Sequence, residues 1–261
     1  MHKKASSQHI PLAPQETPTL SEAAGIRYLH FGTPWIQGAM SVSRPSQLVL
    51  EYTAQMMAWL IFLQPKASGR IGMLGLGAGS LARFCLRHLK NPVQVVEWNP
   101  QVTAICQQYF RLTSSGRLMI DHADAGVWVE DTANHESLEV LMVDLYDADA
   151  AGPVRDSVEF YEGCRRVLTD PGVLTVNLFG AHQSFARNIR HLSLAFEGRL
   201  LCLPQIDQGN QIVMAFKGPK MQAALHQLLA RAEQVESRFG LPARRWVRSW
   251  AARAEQGLLT V

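Results

Sequence analysis

The 261-residue chain has little of what would fix its class at once. It has four cysteines, Cys85, Cys106, Cys164 and Cys202, set far apart within apolar runs. None has C-x-x-C or Cys/His spacing, so a zinc site and a disulfide framework are not expected, and reduced core thiols are. Long hydrophobic runs are missing too. The longest, Met56–Leu63, is far short of a bilayer span, and no apolar stretch follows Lys3 and Lys4 as it would in a secretory signal. A soluble, cytoplasmic protein is expected. Charge of one sign is also scarce: a net of +3 makes no case for nucleic acid or membrane as a partner. There is no internal repeat, no metal-ligand spacing, and no nucleophile-elbow glycine after Ser80, which disfavours a hydrolase. What is present is a hydrophobic fraction of 47%, enough for a substantial core in one large domain with appendages.

The most informative stretch is Arg70–Pro100, RIGMLGLGAGSLARFCLRHLKNPVQVVEWNP. Ile71–Leu76 is an apolar run of strand length, and Gly75, Gly77 and Gly79 fall on alternate positions. Leu81, Phe84, Cys85, His88 and Leu89 then share one helical face, and a second apolar run, Val93–Val96, is closed by Glu97. The spacing predicts a βαβ unit with a glycine-rich first turn. Such a turn lets backbone N–H groups approach a ligand where a Cβ would intrude. An acid ending the second strand can accept hydrogen bonds from both hydroxyls of a ribose. A nucleoside-bearing cofactor follows, but its class stays open. Gly77, Gly79 and Ala82 fit the dinucleotide pattern G-x-G-x-x-A with Glu97 about 20 residues on. Gly75, Gly77 and Gly79 equally fit G-x-G-x-G, the turn of folds that bind S-adenosylmethionine.

Before this unit, residues 1–20 are polar and proline-bearing, and Ile26–Met40 reads as a small β-hairpin around Gly32-Thr33-Pro34. Ser46–Leu63 reads as a helix, and Pro65–Gly69 as a break. After Glu97, Asn99-Pro100 starts a helix that runs to about Phe110. Strands are expected at Arg117–Asp121, Glu139–Asp144 and Val173–Phe179, and helices at Val158–Leu168 and Ser184–Phe196. Arg199–Leu203 and Gln211–Phe216 leave no room for a crossover helix, so they must pair antiparallel. A parallel sheet finished by an antiparallel edge separates methyltransferase-type sheets from purely parallel dinucleotide folds. The tail from Pro219 reads as helical. Within it ARRWVRSWAAR, residues 243–253, is basic with Trp246 and Trp250 one turn apart. Tryptophans packed on the body with arginines in water are favoured over a nucleic-acid helix. His182 and His191 have no partner at telling spacing and read as ordinary surface or core histidines.

Three acids stand where successive parallel strands would end, the rim at which open sheets collect ligands. Glu97 ends the second strand, Asp124 follows the third, and Asp144 ends the fourth, with Asp147 after it in VDLYDADAAGP. A carboxylate at Asp124 can accept from the exocyclic amine of adenine.

Taken together, these pieces resemble the spermidine synthases, or polyamine aminopropyltransferases, which carry the S-adenosylmethionine methyltransferase fold. The resemblance spans about Ile26 to Phe216. It rests on the hairpin ending Ile36-Gln37, GLGAGS, VVEWNP, Asp124-Ala125, D-x-x-D at Asp144 and Asp147, Gly152-Pro153, Phe160-Tyr161 and RVLTDPGVL. It implies that Asp144 is the proton acceptor and Asp147 the amine anchor. Glu97 would hold the ribose, Asp124 with Ala125 the adenine, and Gln37 the nucleoside. Tyr52 would line the amine side, and Tyr146 would stack on substrate or cover the sheet edge. The glycines Gly75, Gly77 and Gly79 would cradle the co-substrate, decarboxylated S-adenosylmethionine or S-adenosylmethionine itself. A small amine acceptor, no metal and a homodimer are implied as well.

The expected fold is α/β: a doubly wound, mostly parallel, seven-stranded Rossmann-like methyltransferase sheet with an antiparallel last strand. The expected division is a flexible 1–20, a hairpin and helix at 21–66, a cofactor-binding catalytic domain at 67–218, and a helical extension at 219–261. Three positions depart from the family pattern. Ala78 replaces the acid of GGGDG that contacts the amino group of the decarboxylated cofactor. Tyr52-Thr53-Ala54 replaces Tyr-His-Glu, and D-L-Y-D replaces D-S-S-D. These changes leave room for a divergent aminopropyltransferase, a methyltransferase, or a non-catalytic nucleoside- or polyamine-binding relative.

Overall fold

Four-residue apolar runs that are buried on both faces belong in the middle of a parallel sheet. The computed structural model, which describes residues 17–146, 155–206 and 209–261, puts them there. Strands β1 (Thr19–Ala23), β2 (Ile26–His30) and β3 (Gly38–Ser41) come first, then helix α1 (Glu51–Met56). The main unit follows as β4 (Ile71–Leu74), α2 (Ser80–His88), β5 (Val93–Val96), α3 (Pro100–Tyr109), β6 (Leu118–Asp121), α4 (Ala125–Glu130) and β7 (Leu138–Val143). It continues through α5 (Val158–Val167), β8 (Leu168–Phe179), α6 (Phe185–Ala195), β9 (Leu200–Cys202) and β10 (Asn210–Lys217). A short ribbon of β11 (Gln222–Ala224) and β12 (Leu258–Thr260) brackets α7 (Leu225–Phe239) and α8 (Ala243–Ser249).

The main sheet has seven strands in the order β6-β5-β4-β7-β8-β10-β9. The pairs among β6, β5, β4, β7 and β8 are parallel, and β10 is antiparallel to both of its neighbours. One buried cluster includes Phe84, Val102 and Trp246, and another includes Trp128, Tyr161 and Phe196. The sheet is thus covered by helices on both faces, as a doubly wound architecture requires. The antiparallel strand is the last of this sheet in the chain, but it is not the edge. β10 is eight residues long, pairs with β8 from Asn210↔Phe179 to Lys217↔Gly172, and buries Ile212–Phe216. A strand that long and apolar needs partners on both sides, whereas the three-residue β9 makes a short, tolerable edge.

Three further departures from the sequence reading have plain causes. The hairpin is a three-stranded antiparallel sheet, because β1 pairs with β2 from Thr19↔His30 to Ala23↔Ile26. β1 is almost wholly exposed, so hydrophobic patterning gives it no signal. Ser46–Leu63 is not one helix: α1 is six residues, followed by a 3-10 turn at Ala58–Ile61. The run Met56–Phe62 is buried all round, and no single helical stripe directs it, so tertiary packing tightens the backbone to Leu60 N–H donating to Met57 O. The tail is helical apart from the β11/β12 ribbon. Trp246 is 1% exposed, and Trp250 donates its Nε1–H to Cys202 O at 2.9 Å, while the Arg245 side chain is 71% exposed. The tryptophans pack on the body and the basic residues face water. Among the described residues, no helix is long and apolar enough to cross a membrane.

Candidate active site

The sheet order reverses beside β4: the chain moves outward through β5 and β6, then returns with β7 on the other side. An open sheet splits at such a point, and ligands bind beyond the carboxyl ends of its strands. Register brings the site residues together there. Leu74 lies between Val96 on one side and Val143 on the other. The next residue of each strand, Gly75, Glu97 and Asp144, therefore emerges on one rim. Gly75 N–H donates to Val96 O and Asp144 N–H to Leu74 O, both at 2.9 Å.

Gly75 has φ of +91°, and a Cβ there would sit 2.2 Å from the Asp144 carbonyl oxygen. Only glycine suits that position, because the turn passes hard against the backbone of the neighbouring strand end. Beyond it a cleft is lined by Gln37, Tyr52, Gly75, Gly77, Ala78 and Asp144, among others. Gln37 arrives on the loop into β3 and Tyr52 on α1, so the N-terminal segments roof a site whose floor is the glycine turn. The roof is pinned by Ser80, whose hydroxyl donates to Ala39 O at 2.8 Å, and by Arg83. The buried Arg83 guanidinium donates to Pro45 O at 2.9 Å and also to Ala78 O. Burial lowers its pKa to about 10, so it remains a cation at neutral pH. Gly79 caps α2 in the left-handed conformation.

Asp144 is partly accessible from this cleft. Its Oδ1 accepts from Asn177 Nδ2 at 2.9 Å, and the Tyr52 hydroxyl donates to the carboxylate. Burial raises the Asp144 pKa, and these two donors work against the rise. Tyr52 is pushed well above an ordinary phenol by burial and then by the Asp144 charge, so it remains a neutral donor. Tyr146 donates to Asn177 O at 3.1 Å, and burial raises its pKa too. Asn177 is the site residue that sequence reasoning missed. Its signal was there: a lone amide in the apolar run VLTVNLF. Asp147 and Gly152-Pro153 lie outside the described residues.

Glu97 is buried beside the turn, tied to its backbone. Its Oε2 accepts Leu76 N–H at 3.0 Å and its Oε1 accepts Asn99 N–H at 2.9 Å. Burial raises its pKa, opposed by bonds from the backbone of Asn99, Leu76 and Trp98. Those bonds use most of the about four lone-pair sites of a carboxylate, leaving room for one further donor rather than two. Asp124 and Ala125 follow β6 on the same rim. Asp124 caps α4 by accepting Val127 N–H at 3.1 Å, and it is paired with Arg155. The thiols are chemically quiet: burial pushes Cys85 and Cys106 up to about 12. A separate cavity, about 820 Å³ between α7 and residues 64–67 and 89–91, lies at the amino ends of β4 and β5, away from this rim.

No family model matches the chain. A polyamine aminopropyltransferase of Chromobacterium violaceum is 35% identical over 225 residues, covering 85% of this chain and 84% of the relative. Among solved structures, a probable spermidine synthase from Corynebacterium glutamicum superposes with a TM-score of 0.70 at 22% identity, covering 91% of both chains. Human methyltransferase-like protein 13, solved in complex with SAH, has a TM-score of 0.65 at 22% identity, covering 73% of this chain and 93% of that one. The two structures establish a methyltransferase-like fold. The extent and identity of the sequence match establish more: this chain belongs to the polyamine aminopropyltransferases, and it is a transferase.

Proposed function

We propose that the protein moves an aminopropyl group from decarboxylated S-adenosylmethionine to a small amine such as putrescine. The observation that carries this reading is the half-buried Asp144 carboxylate, set at the switch point beside the glycine turn and held by Asn177 and Tyr52. The sulfonium supplies an activated carbon, and an amine that attacks it displaces methylthioadenosine. An amine arrives at neutral pH as an ammonium and must lose a proton first. In this reading Asp144 takes it, and its raised pKa makes it a stronger acceptor than an exposed carboxylate. Gln37 and the backbone at Gly77 flank the nucleoside. Glu97 offers one acceptor position to a ribose hydroxyl, and Asp124, beside Ala125, would add adenine to its existing partners. Tyr52 and Tyr146 line the amine end, with Asp147 as its anchor.

One observation favours a second reading, methyl transfer from ordinary S-adenosylmethionine. Ala78 is 2% exposed, and a Cβ on Gly38 would lie 2.6 Å from its own. No carboxylate stands at that position to bind the amino group of a decarboxylated cofactor or to repel a cofactor that keeps its carboxylate. Calorimetry with the two sulfonium compounds decides between them. Tighter binding of the decarboxylated form, with methylthioadenosine released when putrescine is added, supports the proposal. Strong preference for the carboxylated form, with S-adenosylhomocysteine as product, overturns it.

A further inference from the structure

Asn177 is 2% exposed near the carboxyl end of β8, and its amide is engaged at both its nitrogen and its oxygen. Its Nδ2 donates to Asp144 Oδ1 at 2.9 Å, and its Oδ1 accepts from Asn210 Nδ2 at 3.0 Å. Register places Ile212 opposite Asn177, so Asn210 is the diagonal neighbour across the β8/β10 ladder. The direction of this chain of bonds is set by chemistry. An ionised carboxylate only accepts, so Asn177 must turn its NH2 toward Asp144 and its carbonyl toward Asn210. Asn210 can hold that orientation only by presenting its own NH2. The Asn177 backbone carbonyl accepts from the Tyr146 hydroxyl, which ties this part of β8 to the segment after β7.

We propose that Asn210 and Asn177 are positioning residues that fix the rotamer of the Asp144 carboxylate and hold it in its ionised form. This inference rests on the reading of Asp144 as the proton acceptor. Among the described residues, the titratable groups facing Asp144 are Tyr52 from α1 and Tyr146. β4 presents Met73 there and the turn after it Gly75, and β8 and β10 present the two neutral amides. Loss of the Asn177 donor therefore leaves the Tyr52 hydroxyl as the remaining side-chain donor that sets the basicity of Asp144.

The test has two arms. In the first, kcat is measured against pH for wild type, Asn177→Ala, Asn210→Leu and the double variant. Removing a donor from the charged form raises the pKa of an acid, so the acidic limb moves up in Asn177→Ala, by about one pH unit. Asn210→Leu, at a half-buried position, moves it the same way by less. The double variant matches Asn177→Ala alone, because Asn210 acts through Asn177. A uniform fall in kcat with an unmoved limb overturns the relay. In the second arm, the Asp144 carboxyl carbon is titrated by 13C NMR in wild type and both single variants, assigned by its loss in Asp144→Asn. An upward shift sustains the relay even if no amine is turned over, in which case only the aminopropyl reading falls. An unchanged titration removes the relay whatever the activity.

Discussion

Replacing Gly75 by alanine tests the geometry on which the site depends. At φ of +91° the new side chain meets the left-handed penalty, roughly 1–2 kcal/mol. Its Cβ would also lie 2.2 Å from the Asp144 carbonyl oxygen, where ordinary contact begins near 3.4 Å, so the strand end must retreat by about 1.2 Å. Overlap of that kind costs roughly a further 1–3 kcal/mol. Gly32→Ala is the control: its φ is +69°, and nothing lies within 4 Å of the added Cβ. It carries the backbone penalty alone, reduced by the lost freedom of the unfolded chain, for a net of about 1 kcal/mol or less. Urea denaturation of the two variants should therefore separate them by roughly 1–3 kcal/mol. The displaced atom belongs to the proposed base, so Gly75→Ala should also lose about 100-fold in kcat, as misplacements near 1 Å do. Gly32→Ala should keep its activity. Equal stability of the two variants, or undiminished turnover in Gly75→Ala, would refute the close approach and the role built on it.

Asp144→Asn should lower turnover by about 10²–10⁴ while nucleoside binding, followed by calorimetry, changes little. The same variant should melt higher at pH 7. The folded-state pKa of Asp144 is raised, so its contribution to stability is complete below the usual carboxylate range and is lost as pH rises through the folded value. The neutral amide escapes that loss, and the difference should vanish toward low pH; a lower Tm at pH 7 contradicts the assignment. Tyr52→Phe removes a donor from the ionised Asp144, so the acidic limb of the rate profile should move up, and a limb that moves down counts against the contact. In the tail, Trp246→Ala should cost about 3–5 kcal/mol in denaturant. Arg245→Ala, whose pairing with Glu51 is exposed at 3.4 Å, should be nearly neutral; the reverse ranking would mean that the basic face is structural.

The local sequence determined what depends on near neighbours. The apolar runs Ile71–Leu74 and Val93–Val96, the turn Gly75-Leu76-Gly77, and Asn99 before Pro100 each fix a strand, a turn or a helix start within a few residues, and all stand where the spacing puts them. The placement of Glu97, Asp124 and Asp144 at strand ends was legible for the same reason, since parallel strands joined by helices can emerge only at a common rim. Tertiary structure decided what depends on partners far away in the chain. β1 has no hydrophobic face and exists because β2 offers it hydrogen bonds, and β10 lies inside the sheet because both its edges find a strand. The partners that each acid finds were also set there. Glu97 is largely occupied by backbone N–H groups and Asp124 by Arg155, while Asp144 opens to the cleft with Asn177, Asn210 and Tyr52 gathered from three distant elements. A lone amide in an apolar run marks a buried polar need, but only the folded ladder names the carboxylate that meets it.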